Sequence, residues 1–381
     1  MSRRHWAHVV AAAVVAVACA AAAPAAASSP AAGAAAAEAA AGPAAAATAY
    51  LEARATAVTA ADPAAALAAW VVPGSALART EAQVAAGAAL RGRSAGRTVE
   101  SAACAVTVLD ERPAGDGSVV VVARAVTRLT WRSPNGMTDV EGSGIHHTIT
   151  LDHDAGSWVV TADAYSDVLK AACLEAAGAA RTRVRTAARA VERTATPLAL
   201  PRRSVRRPAL PARRYTAIID YDRPAAQAYA DKYALSYNPT FVRFSGADCA
   251  NFASQCARAG DMPQSRGATS TDWWYDKAYT SSPGDDTYSL SWINVTRQIA
   301  SWNTRRTDWE TSAGMLSRGD FIYYDWSGDG VWDHVAVVAG TNSAGQKVID
   351  AHTTDHYRVY WKLGTSSTRY RYAKVRAQWV V

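Results

Sequence analysis

Cysteine is scarce in this 381-residue sequence, with five in all, far below the density of a small disulfide scaffold. Its stability must come from buried apolar surface, and with half of its residues hydrophobic it has the length for two cores of ordinary size. A long, strongly apolar run is also missing. The stretch from Val9 to about Ala23 is alanine-rich and stops at Pro24, short of the ~20 strongly apolar residues that a membrane span needs. With Arg3 and Arg4 before it and small residues up to Ala27, it reads as a secretory signal peptide over residues 1–27, so the chain is expected to be exported. Excess positive charge is missing too, once one segment is set aside. Residues 181–214 hold eleven Arg and one Glu, a charge of +10, whereas the whole chain carries +7, which leaves the remainder at −3. Nucleic acid is therefore not an expected partner, and no metal or cofactor is expected either.

What is present divides along the chain. Residues 28–47 form an alanine-rich spacer of low complexity. From 48 to 174 a helical pattern precedes strand-like runs such as "SVVVVARAVTRLTW" and "IHHTITLD", which predicts an α+β domain and loosely resembles the cone-shaped nuclear-transport-factor-like fold. His146, His147 and His153 are expected as edge-strand residues, since neighbours on a strand point to opposite faces. Residues 175–214 read as a basic linker rich in Arg and Pro, and 215–381 as a second domain with nine of the thirteen tryptophans.

The second domain contains "DCANFASQCARAG". Cys249, Phe252, Ala253 and Cys256 follow helical spacing, with Asp248 as N-cap and Gly260 as stop. Cys249 falls in the first turn, where unpaired N–H groups and the helix dipole favour a thiolate, so it is the candidate nucleophile and Cys256 a core residue. Seven residues on one helix separate these two thiols by roughly 10.5 Å, beyond the reach of a disulfide. The expected bridge is Cys104 to Cys173. A base must come from His334, His352 or His356. His334 opens the alternating stretch "HVAVVAG", which is expected to pack against the cysteine helix.

Taken in order, "YDRPAAQAYADKYALSYNPTFVRF", "DCANFASQ", "LSRGDFIYYDW", "DGVWDHVAVV" and "DAHT" resemble the putative amidase domain family of secreted bacterial proteins, a papain-like Cys/His group related to cell-wall peptidases. The resemblance covers about residues 218–360. It implies a papain-like cysteine hydrolase domain that cleaves an amide through a thioester, with Cys249 as nucleophile, His334 as base and a polar residue of the next strand as orienter. Asp248 and Asp320 match positions read as structural. The backbone N–H of Cys249 would supply half of an oxyanion hole, with Tyr237 and Gln255 as weak candidates for the rest. The implied substrate is an amide or peptide, peptidoglycan among the possibilities; the alternative is a wall-binding protein without catalysis.

Three further expectations concern the surroundings. Asp325, Ser327, Asp329 and Gly330 match half of a calcium loop, but Ala336 stands where its closing Glu belongs, so a tight polar hairpin is the better reading. Trp273, Trp274, Trp292, Trp302 and Trp309 are either a stacking surface for sugar or peptide or, more commonly, core. Folding a hairpin about "TNSAGQ" brings His334 nearest Thr353, and a shift of one residue brings His352 opposite. His352 is therefore the expected third catalytic residue, with Asp350 as runner-up.

Overall fold

The computed structural model describes residues 42–154, 156–187, 218–266, 271–277 and 283–380. The expected signal peptide, most of the alanine-rich spacer and the linker residues 188–217 lie outside them. The first helix, α1 (Pro43–Thr56), starts on a proline, whose fixed φ suits a helix start. It buries Ala46 and Ala47, so the end of the expected spacer is core. The short α2 (Pro63–Leu67) is capped by Asp62, which accepts from two backbone amides, and α3 (Ala76–Ser94) by Ser75. Four strands follow: β1 (Thr98–Pro113), β2 (Val119–Arg132), β3 (Thr138–Asp154) and β4 (Ser157–Tyr165). The next helix, α4 (Val168–Ala187), runs into the segment expected as linker, because Ala172, Cys173 and Ala177 recur at helical spacing and are buried.

The C-terminal half opens with β5 (Ile218–Asp220), α5 (Arg223–Tyr233) and α6 (Cys249–Ala259). After two short strands, β6 (Tyr275–Asp276) and β7 (Thr287–Tyr288), come α7 (Leu290–Ile293) and α8 (Val295–Arg305). The remaining strands are β8 (Thr307–Glu310), β9 (Phe321–Asp325), β10 (His334–Thr341), β11 (Lys347–Ala351), β12 (Asp355–Tyr360), β13 (Arg369–Val375) and β14 (Gln378–Val380). The architecture is α+β around one large antiparallel sheet. Its order is β1-β2-β3-β12-β11-β10-β9-β13-β8, with β4 also paired to β3, ten strands in all among the described residues.

The sheet therefore passes through both halves of the chain. The junction is β3 against β12, with Gly142, Ser143 and Gly144 facing Tyr357, His356 and Asp355. A Cβ at Gly144 would meet the Arg124 guanidinium at 2.6 Å. Without one, Arg124 reaches across the junction to the Asp355 carboxylate at 3.0 Å and the Leu235 carbonyl at 2.8 Å. β3 is interior rather than an edge, so His147 is buried and bonds Asp163 through Nδ1 at 2.9 Å. His146 and His153 stay exposed.

Apolar residues collect in three cores. One lies under α1 to α3 on β2, β3 and β4. The other two lie on opposite faces of β9 to β11: Val335 and Val337 pack with α6 on one side, while Ile322, Tyr324, Ala336 and Val338 cluster on the other. The expected Cys104–Cys173 disulfide is not formed. Cys104 sits half-buried on β1 with the Thr127 hydroxyl 3.8 Å from its Sγ, while Cys173 is a free thiol on α4 where that helix crosses α3.

That crossing is close enough to need a glycine. A Cβ on Gly87 of α3 would lie 1.9 Å from the Cys173 carbonyl oxygen, whereas one on Gly178 of α4 would meet nothing within 4 Å. Gly87→Ala is accordingly expected to destabilise by about 1–3 kcal/mol through overpacking. Gly178→Ala should stabilise by about 0.5–1 kcal/mol through helix propensity. Urea unfolding of the two variants checks the opposite signs.

Candidate active site

Around Cys249 the organising group is the carboxylate next to it. Asp248 is almost fully buried, so its oxygens need donors. Oδ1 accepts from the Phe244 amide and from Asn251 Nδ2, both at 2.9 Å, and Oδ2 lies 2.7 Å from His352 Nδ1. Asp248 does not cap α6 with its side chain, contrary to expectation. It instead ties the incoming loop, the helix and the turn after β11 to one point. α6 is buried from Cys249 to Ala257, which explains its polar residues. Asn251 and Ser254 accept from the indole N–H groups of Trp292 and Trp273 at 2.9 and 3.0 Å. Trp273, Trp292 and Trp302 are thus core residues, and only Trp274 and Trp309 of the five remain partly exposed.

His352 follows β11 and stacks on Phe252 with ring centroids 3.9 Å apart. Its Nε2 is 2.8 Å from the Tyr233 carbonyl oxygen. That oxygen only accepts, so Nε2 carries a proton; Nδ1 faces a carboxylate that orients the ring. The next residue, Thr353, holds φ at +86°, a conformation strained for a β-branched side chain. Its hydroxyl accepts the Cys249 backbone N–H at 3.1 Å. His352 and Thr353 therefore both touch the first turn of α6.

Cys249 is 6% exposed. Burial pushes its thiol up, and this outweighs the opposing pull of hydrogen bonds from the Thr353 hydroxyl and the Val335 backbone. The expected thiolate bias at the helix start is overridden by desolvation in this closed arrangement. Cys256 is a buried core thiol pushed well up, first by burial and then by the nearby Asp350.

His334 is not brought to Cys249. It opens β10 as expected, but the face of β10 that meets α6 carries Val335 and Val337. Strand alternation then sends His334 to the opposite side. There its ring lies 5.5 Å from the rings of Tyr324 and Trp326. Burial, then the neighbouring His356, pushes its pKa down to about 3. The loop-length register holds without the expected one-residue shift, since Val337 pairs with Asp350; Asp350 and His352 therefore share the cysteine face, away from His334, and His352 does not orient the His334 ring as expected. Asp350, however, accepts the Arg358 amide at 2.7 Å, and burial holds its carboxyl well above the usual range.

Other candidates are occupied structurally. Tyr237 donates to Asp355 at 2.8 Å, and Gln255 accepts from Tyr229 at 2.6 Å. Asp320 accepts from Arg223, the Ser317 amide and the Val375 amide. Asp325 accepts three backbone amides of its own loop, from Gly328, Asp329 and Gly330, which makes a polar hairpin. Sequence reasoning missed Thr353 and the Tyr233 carbonyl. The first had only its place beside His352 as a signal, and the second had none.

Comparison with known proteins finds similarity over the segment that contains this site. The family model described as "Putative amidase domain" matches residues 220–375, which supports an amidase-type domain in this half. "Uncharacterized protein YhbB" of Bacillus subtilis (strain 168) is 33% identical over 149 residues, 39% of this chain and 46% of that protein. "Uncharacterized protein YjcM" of the same organism is 29% identical over 153 residues, 38% of this chain and 34% of that protein. The chain thus spans less than half the length of these curated relatives. No solved structure matches. Among the described residues no helix is long and apolar enough to cross a membrane.

Two outcomes follow from this geometry. Thr353→Gly relieves the positive φ and uncovers Cys249, so it should raise the melting temperature and speed alkylation of Cys249 by iodoacetamide, read by peptide mapping; unchanged labelling would show that the hydroxyl does not shield the thiol. The folded pKa of His334, about 3, lies below its unfolded value of about 6.5, so the unfolded chain binds the extra proton between those limits. Its contribution to stability is complete above about pH 6.5 and is lost as pH falls towards 3. His334→Leu should flatten the loss of stability between pH 6.5 and 4, measured by urea unfolding.

Proposed function

We propose that the C-terminal half is an exported, papain-like cysteine amidase that hydrolyses amide bonds of cell-wall peptides. The observation that carries this reading is the Asp248–His352 pair held against the first turn of the buried helix that Cys249 opens, inside the segment that matches the amidase family model. A carboxylate on Nδ1 is the usual way to orient an imidazole so that Nε2 moves protons. In this reading substrate entry breaks the contact with the Tyr233 carbonyl, the Nε2 proton leaves to water, and His352, not His334, then takes the thiol proton on Nε2. The Cys249 sulfur attacks the carbonyl carbon, and the electron pair moves to oxygen, where the Cys249 N–H receives it. His352 returns its proton to the departing amine, and water then cleaves the thioester.

The structure is a closed form for this chemistry. Nε2 of His352 is held by the Tyr233 carbonyl and the Cys249 N–H by the Thr353 hydroxyl. Substrate has to displace both contacts, the carbonyl oxygen taking the place of the threonine hydroxyl.

Incubation with purified peptidoglycan, followed by mass spectrometry for new amine ends, tests the proposal. Cys249→Ala should abolish release, and His352→Ala should lower turnover by about 10²–10⁴-fold. His334→Ala should leave turnover within a few-fold of wild type in folded protein at pH 7.5. Retention of wall polymer without fragments, alike in wild type and Cys249→Ala, would favour a binding protein and reject the amidase.

A further inference from the structure

Two strands from β10 the sheet carries a cation that no carboxylate among the described residues neutralises. Arg371 on β13 pairs with Tyr323 on β9, which in turn pairs with Val335 on β10. The three residues form a row across neighbouring strands. At about 4.8 Å per strand, the Arg371 and Val335 backbones are about 10 Å apart. Val335 packs in the same core as Cys249. Arg371 shares the face of Tyr323 and Val335, the face that α6 covers further along.

Two tryptophans hold the guanidinium in place. Its carbon lies 5.0 Å from the Trp309 ring centroid and 4.8 Å from that of Trp332. Both indoles are half-buried against the cysteine-side core, while Arg371 is exposed. Nearby Lys374 and Arg376 pair with Glu310 and Asp308; Arg371 meets no carboxylate among the described residues. Contact with the two rings uses none of the guanidinium N–H groups in an ion pair, and a guanidinium receives a carboxylate through two parallel hydrogen bonds. The stacking also removes side-chain freedom in advance, so that less is lost on binding.

We infer that Trp309, Arg371 and Trp332 form a substrate subsite that selects peptides bearing a free carboxylate near the bond presented to Cys249. This rests on the amidase reading, and it adds the substrate class. Acidic peptides, or peptides ending close to the cleaved bond, would be bound, and those with the carboxylate masked as an amide would be rejected. The three side chains come from β8, β13 and the loop before β10, so the subsite exists only in the folded sheet.

Binding to the Cys249→Ala protein tests the subsite without requiring turnover. Isothermal titration calorimetry is run with one short wall-derived peptide, first with a free C-terminal carboxylate and then as its carboxamide. The expected result is about tenfold or more tighter binding of the carboxylate form. Adding Arg371→Gln should erase that preference while leaving the carboxamide affinity unchanged. Arg371→Lys, which keeps the charge and loses the fork, should restore only part of it. Equal affinities in the Cys249→Ala protein, no binding of either peptide, or a preference that survives Arg371→Gln would overturn the subsite. Carboxylate-selective binding, together with a wild-type protein that releases nothing from peptidoglycan, would instead reject the amidase and leave the subsite standing.

Discussion

The Asp248 carboxylate is the fastening on which the site depends. It has almost no contact with solvent, and its bonds reach the Phe244 amide, Asn251 and His352. A buried carboxylate stripped of one donor costs more than the bond that was lost. The loop entering α6, the helix itself and the turn between β11 and β12 are therefore held in one arrangement. Asn251 carries the constraint further, because its carbonyl oxygen accepts the Trp292 indole N–H and its amide donates to the Val242 carbonyl. The aromatic core under α6 and the position of His352 thus share one polar anchor.

Much of this half was legible from residue patterns. The bounds of the cysteine helix, the core role of Cys256 and the hairpin register joining β10 to β11 all follow from spacing, and spacing survives burial. The side of the sheet on which His334 lies was not legible. "HVAVV" is apolar at both parities, and when both faces of a strand are buried nothing in the alternation says which face meets the helix. The resemblance to amidases favoured His334, whereas the packing of Val335 and Val337 against α6 gives that face to His352. Thr353 was hidden for another reason. Its importance lies in a backbone angle, and a threonine gives no warning that it will adopt one usually left to glycine.

The same distinction explains the reading of the thiol. A helix start lowers the pKa of a cysteine that water can reach, but at Cys249 the desolvation of a nearly closed site is the larger effect. The N-terminal half was read well as to class and less well as to extent. Its helices begin within the alanine-rich stretch and end within the basic stretch, because alanine and arginine are both good helix formers. Composition alone does not separate a helix of such residues from a spacer.

The pairing of β3 with β12 makes the two halves one folding neighbour rather than two beads on a string. Gly142 and Gly144 let the strands close, and Arg124 locks the joint to Asp355. The peptide that connects the halves along the chain is then not what holds them together. A protease cutting between residues 188 and 217 would leave a two-chain particle, as in a processed zymogen, with its halves still joined edge to edge by main-chain hydrogen bonds. Removing the N-terminal half altogether is a different injury, since it strips β12 of its neighbour and exposes a bare sheet edge within a few residues of His352.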